Sequence, residues 1–303
     1  MSNQKVLITG ATGFIGQALV SQLVKNYSVT CLIRNVKKAD RLLPRKADRI
    51  VSTLGSVKFP SKYKFDIVVH SAANINLHGN KKELIQTNVV GTEKLIKELK
   101  NRCNLFVFLS TIETLNPKTW YGKSKKIAEK SILEIGKRTG LKIIILRLGN
   151  VTGHQNTFFT KQIRKNLEDQ KGEIAYYYPL IKDKKLALLG VYQVTSTVSS
   201  LLKNKSSGIY TLVPKKFVTV ETLVSVISKR ISCPDFRNNK KTILKKIRLK
   251  VRLEKHKHKQ VADLIDYLFN KADYNYLKNE NIIHPSSSKK LEEIISETIK
   301  NND

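Results

Sequence analysis

Acidic residues are scarce in this chain: 24 aspartates and glutamates stand against 56 lysines and arginines, a formal net charge of +32 over 303 residues. Cysteine is scarce too. Cys31, Cys103 and Cys233 lie far apart with no paired spacing, which excludes a disulfide framework and a zinc centre of the usual pattern. His256 and His258 lack a third partner at a sensible spacing, so no metal site is expected. Long hydrophobic runs are missing. A membrane-spanning helix needs about 20 apolar residues, and the longest runs here are strand-sized, such as Ile143 to Leu146. The first five residues lead straight into Val6-Leu7-Ile8 without the apolar core or small-residue cleavage site of a signal peptide. A cytoplasmic location with reduced thiols is therefore expected. No repeat of solenoid length is present.

What is there reads as an ordinary folded chain, 41% hydrophobic and 26% charged, close to soluble globular averages. At about 150 residues per domain the length suits one large domain or two modest ones. The positive charge has two readings, attraction to phosphates, acidic carrier proteins or anionic lipid, and a lysine-rich coding bias.

Over the first 150 residues short β-rich apolar runs alternate with helical patterns, as in βαβ units with a parallel sheet. Strands are expected at Val6 to Thr9, Ser28 to Ile33, around Arg49 to Ser52, Phe65 to His70, Leu105 to Ser110 and Lys142 to Leu148. Helices are expected over Phe14 to Lys25, over Leu84 to Lys100 and from near Tyr121, each with apolar residues near 3.6 spacing. Val191 to Leu202 and Val220 to Ile231 read as further helices and Ile209 to Val213 as a strand. The expected fold is an α/β, Rossmann-like, doubly wound parallel sheet with a smaller, mainly helical C-terminal substrate lobe. Its dinucleotide domain would take residues 1–155, re-entered by about 191–231. The lobe would take 156–190 and 232–303.

The first strand runs into Gly10-Ala11-Thr12-Gly13-Phe14-Ile15-Gly16, a G-x-x-G-x-x-G pattern that opens a helix. Gly10 permits the tight turn, Gly13 lets backbone N–H groups approach a pyrophosphate, and Gly16 allows close packing of helix on strand. This is a dinucleotide-binding loop. At the end of the second strand an acid would take a ribose 2′-hydroxyl and an arginine a 2′-phosphate. Arg34 stands there, followed by Asn35, Lys37, Lys38 and Arg41. NADP(H) is thus preferred, with NAD(H) as the alternative.

Together with that loop, His70-Ser71-Ala72-Ala73, Asn88-Val89-Val90-Gly91-Thr92, Ser110-Thr111 and Tyr121-Gly122-Lys123-Ser124-Lys125 resemble the extended short-chain dehydrogenase/reductase superfamily. The resemblance covers about residues 5 to 155. It implies a cofactor site made of Gly10, Thr12, Gly13, Phe14, Ile15 and Gly16, with Arg34, Ala72, Ala73, Asn88 and Lys125. It implies Tyr121, Lys125 and Thr111 or Ser110 as catalytic residues. Tyr274 and Lys278 share the Tyr-x-x-x-Lys spacing but lack the surrounding pattern Tyr-x-x-Ser-Lys-x-x-Ala-Glu, which runs from Tyr121 to Glu129.

The chemistry fits the spacing. Residues four apart on a helix share a face, so the Lys125 ammonium sits beside the Tyr121 phenol and favours phenolate, lowering its pKa from about 10. The resemblance adds that this lysine holds the nicotinamide ribose. Thr111 or Ser110 would donate to the substrate oxygen as charge builds there.

Within the superfamily, Cys31-Leu32-Ile33-Arg34, the segment Ala72 to Leu77 and Arg147-Leu148-Gly149-Asn150-Val151-Thr152-Gly153 are similar to the thioester-reductase and fatty-acyl reductase branch. That likeness implies NADPH-dependent reduction of an acyl thioester or other carbonyl. The Tyr121 to Lys125 stretch is also very like nucleotide-sugar epimerases and dehydratases, which recycle bound NAD. A third reading is a non-catalytic NADP sensor. Lys240 to Lys259 places ten basic residues around Ile243, Leu244, Ile247 and Val251 at helical spacing. Such a helix suits an acidic acyl carrier protein or anionic lipid, and no nucleic-acid partner is expected. The family often forms homodimers through the helix carrying the tyrosine.

Overall fold

The computed structural model describes residues 4–75, 80–153, 163–164, 167–168, 178, 181–204, 206–233, 274, 277–278, 280–285, 293 and 295. The chain divides into two units. The first comprises 1–148, 191–213 and 276–286, the second 149–190, 214–275 and 287–303.

In the first unit the expected alternation is realised. β1 (Lys5–Thr9), α1 (Phe14–Leu23), β2 (Ser28–Ile33), α2 (Val36–Leu42), β3 (Asp48–Val51) and β4 (Phe65–His70) come first. They are followed by α3 (Lys81–Ile85), α4 (Gly91–Leu99), β5 (Cys103–Thr111), α5 (Trp120–Thr139) and β6 (Lys142–Leu148). After the chain has passed through the second unit, α6 (Val191–Asn204) and β10 (Gly208–Leu212) rejoin the first, as does β12 (Ile282–Ile283). The eight strands pair in the order β12-β10-β6-β5-β4-β1-β2-β3, all parallel. The chain winds outward from β1 to β3, then crosses to β4 and winds the other way. Such a reversal opens a crevice at the carboxyl ends of β1 and β4, where ligands bind in sheets of this kind.

Strands covered on both faces must be apolar throughout, and Val6, Leu7 and Ile8 are all fully buried. Leu7, Val68, Phe106, Phe108, Ile143 and Ile145 pack with Leu95, Ile96 and Leu99 of α4 and Ala128 and Ile132 of α5. α5 is capped at its start by Thr119, whose side chain accepts from the Gly122 N–H, and ends at Gly140 in the left-handed region with φ 70°.

The helix expected over Leu84 to Lys100 is interrupted. A π-turn over Gln86–Val90 joins α3 to α4, and it is stabilised because the buried Asn88 finds partners for its amide, described below. The glycine loop is as tight as its pattern implies. A Cβ on Gly16 would lie 2.0 Å from the Gly10 carbonyl oxygen, whereas one on Gly13 would stand 3.1 Å from it. Gly16→Ala is therefore expected to lose about 1–3 kcal/mol through forced backbone movement, and Gly13→Ala much less. Urea unfolding of both variants checks this, and equal losses would contradict it.

In the second unit β7 (Asn150–Thr152) pairs parallel with β9 (Leu188–Gly190), and β8 (Lys185–Leu186) antiparallel with β11 (Val218–Thr219). The sequence pattern puts α7 (Val220–Arg230) with the dinucleotide domain. Instead its Val220, Leu223, Val224 and Ile227 pack against Ile163, Ile181, Leu186 and Leu188, which places it in the second unit. The expected basic helix over 240–259 lies outside the described residues. Among the described residues no helix is long and apolar enough to cross a membrane.

Candidate active site

The loop between β1 and α1 has the form an anion needs. Gly10 adopts φ 67°, and a Cβ there would collide with the Ala72 backbone nitrogen at 2.6 Å. The Gly13 N–H bonds the Gly10 carbonyl at 2.9 Å, closing the turn. Gly13 is the N-cap of α1 and offers no side-chain cap. The first-turn N–H groups of Phe14 and Ile15 are thereby left for an anion at the positive end of the helix. Thr12 stiffens the turn by accepting from the Gln17 amide at 3.2 Å.

Hydrogen bonds from the end of β4 hold Ala72 and Ala73 beside this loop. Ser71 Oγ donates to the Thr9 carbonyl at 2.7 Å, and the Ala72 N–H reaches Thr9 Oγ1 at 3.4 Å. His70, fully buried, spans from Thr9 Oγ1 at 2.6 Å to Thr92 Oγ1 at 2.9 Å. Burial, helped by the charge of Lys125, pushes its pKa down to about 3. It is a neutral tie between β1, β4 and α4.

At the end of β2, Arg34, Lys37 and Lys38 are exposed. Asn35 starts α2 by accepting from the Lys38 N–H at 2.8 Å. The nearest acid, Asp40, is paired with Arg49 of β3. Cations therefore dominate this strand end, and the acid nearest to them is already engaged.

Tyr121 and Lys125 share one face of α5. Tyr121 is half-buried, while Lys125 is 2% exposed. Its Nζ donates to the Leu109 carbonyl at 2.7 Å and lies 3.7 Å from the centre of the Phe108 ring. Burial lowers its pKa to about 7, against the opposing pull of Glu129. The ammonium is thus poised near neutrality, held by one carbonyl and one aromatic face.

Ser110 and Thr111, indistinguishable by spacing, diverge in the structure. Ser110 Oγ donates to Glu129 at 2.5 Å. Thr111 Oγ1 accepts from the Glu113 N–H at 3.3 Å, so its hydroxyl hydrogen is left to donate elsewhere. Asn88 is 1% exposed. Its Oδ1 accepts from the Asn74 N–H at 2.7 Å and its Nδ2 donates to the Asn74 carbonyl at 2.9 Å and to Ser124 Oγ at 3.0 Å. Ser124 in turn donates to the Tyr121 carbonyl at 2.7 Å. The side chain of Asn88 thereby pins the segment after Ala72-Ala73 to the first turn of α5.

Two carboxylates escaped the sequence reading. Glu129, visible only as the last letter of the pattern that starts at Tyr121, is bound by Ser110 and by Arg147 at 2.8 Å. Glu113 is 4% exposed and accepts from the hydroxyl and N–H of Thr119, the cap of α5. No spacing announced it. Tyr274, the decoy, bonds the Ala187 N–H at 3.0 Å and the Lys185 carbonyl at 3.2 Å and stacks on Phe217, which is a structural role. Among the described residues no group of His, Cys, Asp and Glu could hold a metal.

The chain is similar to UDP-glucose 4-epimerase of Vibrio cholerae, 29% identical over 169 residues, 48% of this chain and 51% of that one. It is also similar to glycine betaine reductase ATRR of Emericella nidulans, 28% identical over 204 residues, 50% of this chain and 16% of that one. It thus spans about half or less of the length of these curated relatives. Among solved structures, UDP-N-acetylglucosamine 4-epimerase from Methanobrevibacter ruminantium M1 superposes with a TM-score of 0.66 at 19% identity, over 78% of this chain and 84% of that one. That likeness shows the fold. The sequence model of the NAD dependent epimerase/dehydratase family matches residues 6–180, more than half of the chain, and with the glycine loop, Tyr121 and Lys125 in place the protein belongs to that family, within the extended short-chain dehydrogenase/reductase superfamily.

Proposed function

We propose that the protein is a nucleotide-sugar epimerase that oxidises a sugar hydroxyl to a ketone and reduces it again on the opposite face. The observation that carries hydride chemistry at this site is the Thr111 hydroxyl, whose hydrogen has no acceptor among the described residues while the Ser110 hydrogen is bound to Glu129, and the family match over residues 6–180 favours its use on a sugar. The similarity to UDP-glucose 4-epimerase supports the sugar chemistry. The reduction of an acyl thioester, expected from the sequence, has weaker support from the family match.

A bound nicotinamide dinucleotide supplies the hydride acceptor and donor. The chain's residues do the rest. Tyr121 takes the hydroxyl proton at Oη, and the Lys125 ammonium stabilises the phenolate before transfer. Thr111 donates to the substrate oxygen, and returning the proton from Tyr121 completes the reduction. The loop from Gly10 to Gly16 would hold the pyrophosphate, and the carboxyl ends of β1 and β4 the rest of the nucleotide. We further propose NADP(H) as the cofactor, because Arg34 is exposed and Asp40 is engaged by Arg49.

Proton NMR of the anomeric region tests the reaction, with UDP-glucose, UDP-galactose and UDP-N-acetylglucosamine as substrates and NADP+ or NAD+ supplied. Appearance of the 4-epimer is the expected result. Oxidation of NADPH by an acyl thioester, with no change in any sugar, would overturn the reading in favour of the reductase. For the cofactor, Arg34→Ala is expected to weaken NADPH binding about tenfold, since one exposed charge-assisted hydrogen bond is lost, and to leave NADH within about twofold. Fluorescence titration of both nucleotides measures this, and equal losses would contradict it.

A further inference from the structure

A partly buried ionic cluster lies behind the site. Glu129 stands one helical turn beyond Lys125 on α5, its side chain 5% exposed, and binds Arg147 of β6 through Nε at 3.2 Å and Nη2 at 2.8 Å. The same guanidinium turns Nη1 to Glu280 at 2.7 Å. Glu280 also accepts from Thr211 Oγ1 of β10 at 3.1 Å, and the next residue, Asn281, accepts from the Thr211 N–H at 2.9 Å. The segment that leads into β12 is therefore fastened to the sheet right beside its carboxylate. Two carboxylates share one guanidinium, so the cluster carries a net negative charge, and Glu129 is the member that shares α5 with Lys125.

We infer that Glu280 is a positioning residue for the Tyr121–Lys125 pair, acting on their helix through Arg147 and Glu129. The inference rests on the roles proposed above for Tyr121 and Lys125. By drawing on one arm of Arg147, Glu280 leaves Glu129 free to support the Lys125 ammonium. Without Glu280 the whole guanidinium charge falls on Glu129 and cancels that support. Among the described residues no other group facing Lys125 replaces it. Tyr121 on the same helix is the proton carrier itself, His70 on β4 is neutral in this range, and β5 offers only the Leu109 carbonyl and the Phe108 ring. Lys125 titrates near 7, so one charge more or less tells at neutral pH.

The test is NADPH affinity, read by its fluorescence from pH 6 to 9, in wild type, Glu280→Gln, Glu280→Asp and Thr211→Val. Removing a negative charge disfavours the ammonium. The affinity of the anionic nucleotide should therefore fall off earlier as pH rises, with the midpoint about half a pH unit lower in Glu280→Gln and binding about threefold weaker above it. Glu280→Asp should restore most of the shift, and Thr211→Val, which loosens Glu280 without removing its charge, should move it part of the way. An unmoved midpoint in Glu280→Gln overturns the inference, as does a Glu280→Asp variant no better than Glu280→Gln. Should Glu280→Gln fail to fold, the midpoint of Thr211→Val decides. Sugar turnover by Tyr121→Phe keeps the two readings apart. If Tyr121→Phe is inactive and the Glu280→Gln midpoint stays in place, only the present inference fails; if Tyr121→Phe is fully active, the catalytic reading itself fails.

Discussion

Tyr121→Phe is expected to lower sugar turnover by about 10²–10⁴-fold, the usual contribution of a positioned acid–base group, with nucleotide affinity unchanged within about twofold. The substitution removes one oxygen and leaves the ring. Tyr121 is half-buried in the first turn of α5, and its backbone carbonyl, which accepts from Ser124, is untouched. Asn88 still holds that turn against Asn74. The loss therefore falls on proton transfer and not on the fold. Steady-state kinetics with a nucleotide sugar, beside nucleotide titration of the same preparation, give both numbers. A variant within tenfold of wild-type turnover would remove Tyr121 from the mechanism, and one that loses nucleotide binding in parallel would point to a structural role.

Arg147→Met should cost about 3–5 kcal/mol of stability, the range for breaking a buried ion pair from one side. Against a total stability of about 5–15 kcal/mol for a typical domain, this would unfold a marginal protein. The reason is what the arginine leaves behind: Glu129 and Glu280, with side chains 5% and 18% exposed, would both lose the guanidinium that pairs them, and Glu129 would keep only the weaker pull of the Lys125 ammonium one helical turn away. Among the described residues the Ser110 hydroxyl is the one hydrogen bond that would remain on Glu129. If charge isolation is the cause, Glu129→Gln in the Arg147→Met background should recover part of the loss, because it removes one of the two uncompensated carboxylates. Urea unfolding of both variants measures this. A loss under about 1 kcal/mol in Arg147→Met, or a double variant less stable still, would contradict the account of the cluster.

Much of the first unit is legible residue by residue because its signals are local. Val6 to Thr9, the glycines after it and the 3.6 spacing of α1 all fall within 20 residues, and the structure places each as the pattern implies. β2, β4 and β6 begin and end where their apolar runs do. The first-turn position of Tyr121 and the helix it opens are equally local. What the sequence conceals depends on pairing across long distances or on which face of an element is covered. Ser110 and Thr111 alternate across β5, and only the packing of α5 shows that Ser110 meets Glu129. The π-turn around Asn88 exists because Asn74 and Ser124, each from another segment, satisfy one amide. Glu280 reaches Arg147 across 133 residues of chain, a distance over which no periodicity carries information. The helix Val220–Arg230 has a clear apolar face, but an apolar face names no partner, and its partners prove to be Ile181, Leu186 and Leu188 of the second unit.

The most direct test of the account is mass spectrometry of the nucleotide released when freshly purified protein is denatured, repeated after soaking in equal NADPH and NADH. A nicotinamide dinucleotide at about one per chain is the predicted result: NAD that stays bound through the soak fits an epimerase that recycles its cofactor and removes the role given to Arg34, whereas a 2′-phosphate in the soaked sample joins the loop from Gly10 to Gly16 and Arg34 in one site. Protein that releases no such nucleotide before or after soaking would contradict the hydride chemistry assigned to Tyr121, Lys125 and Thr111.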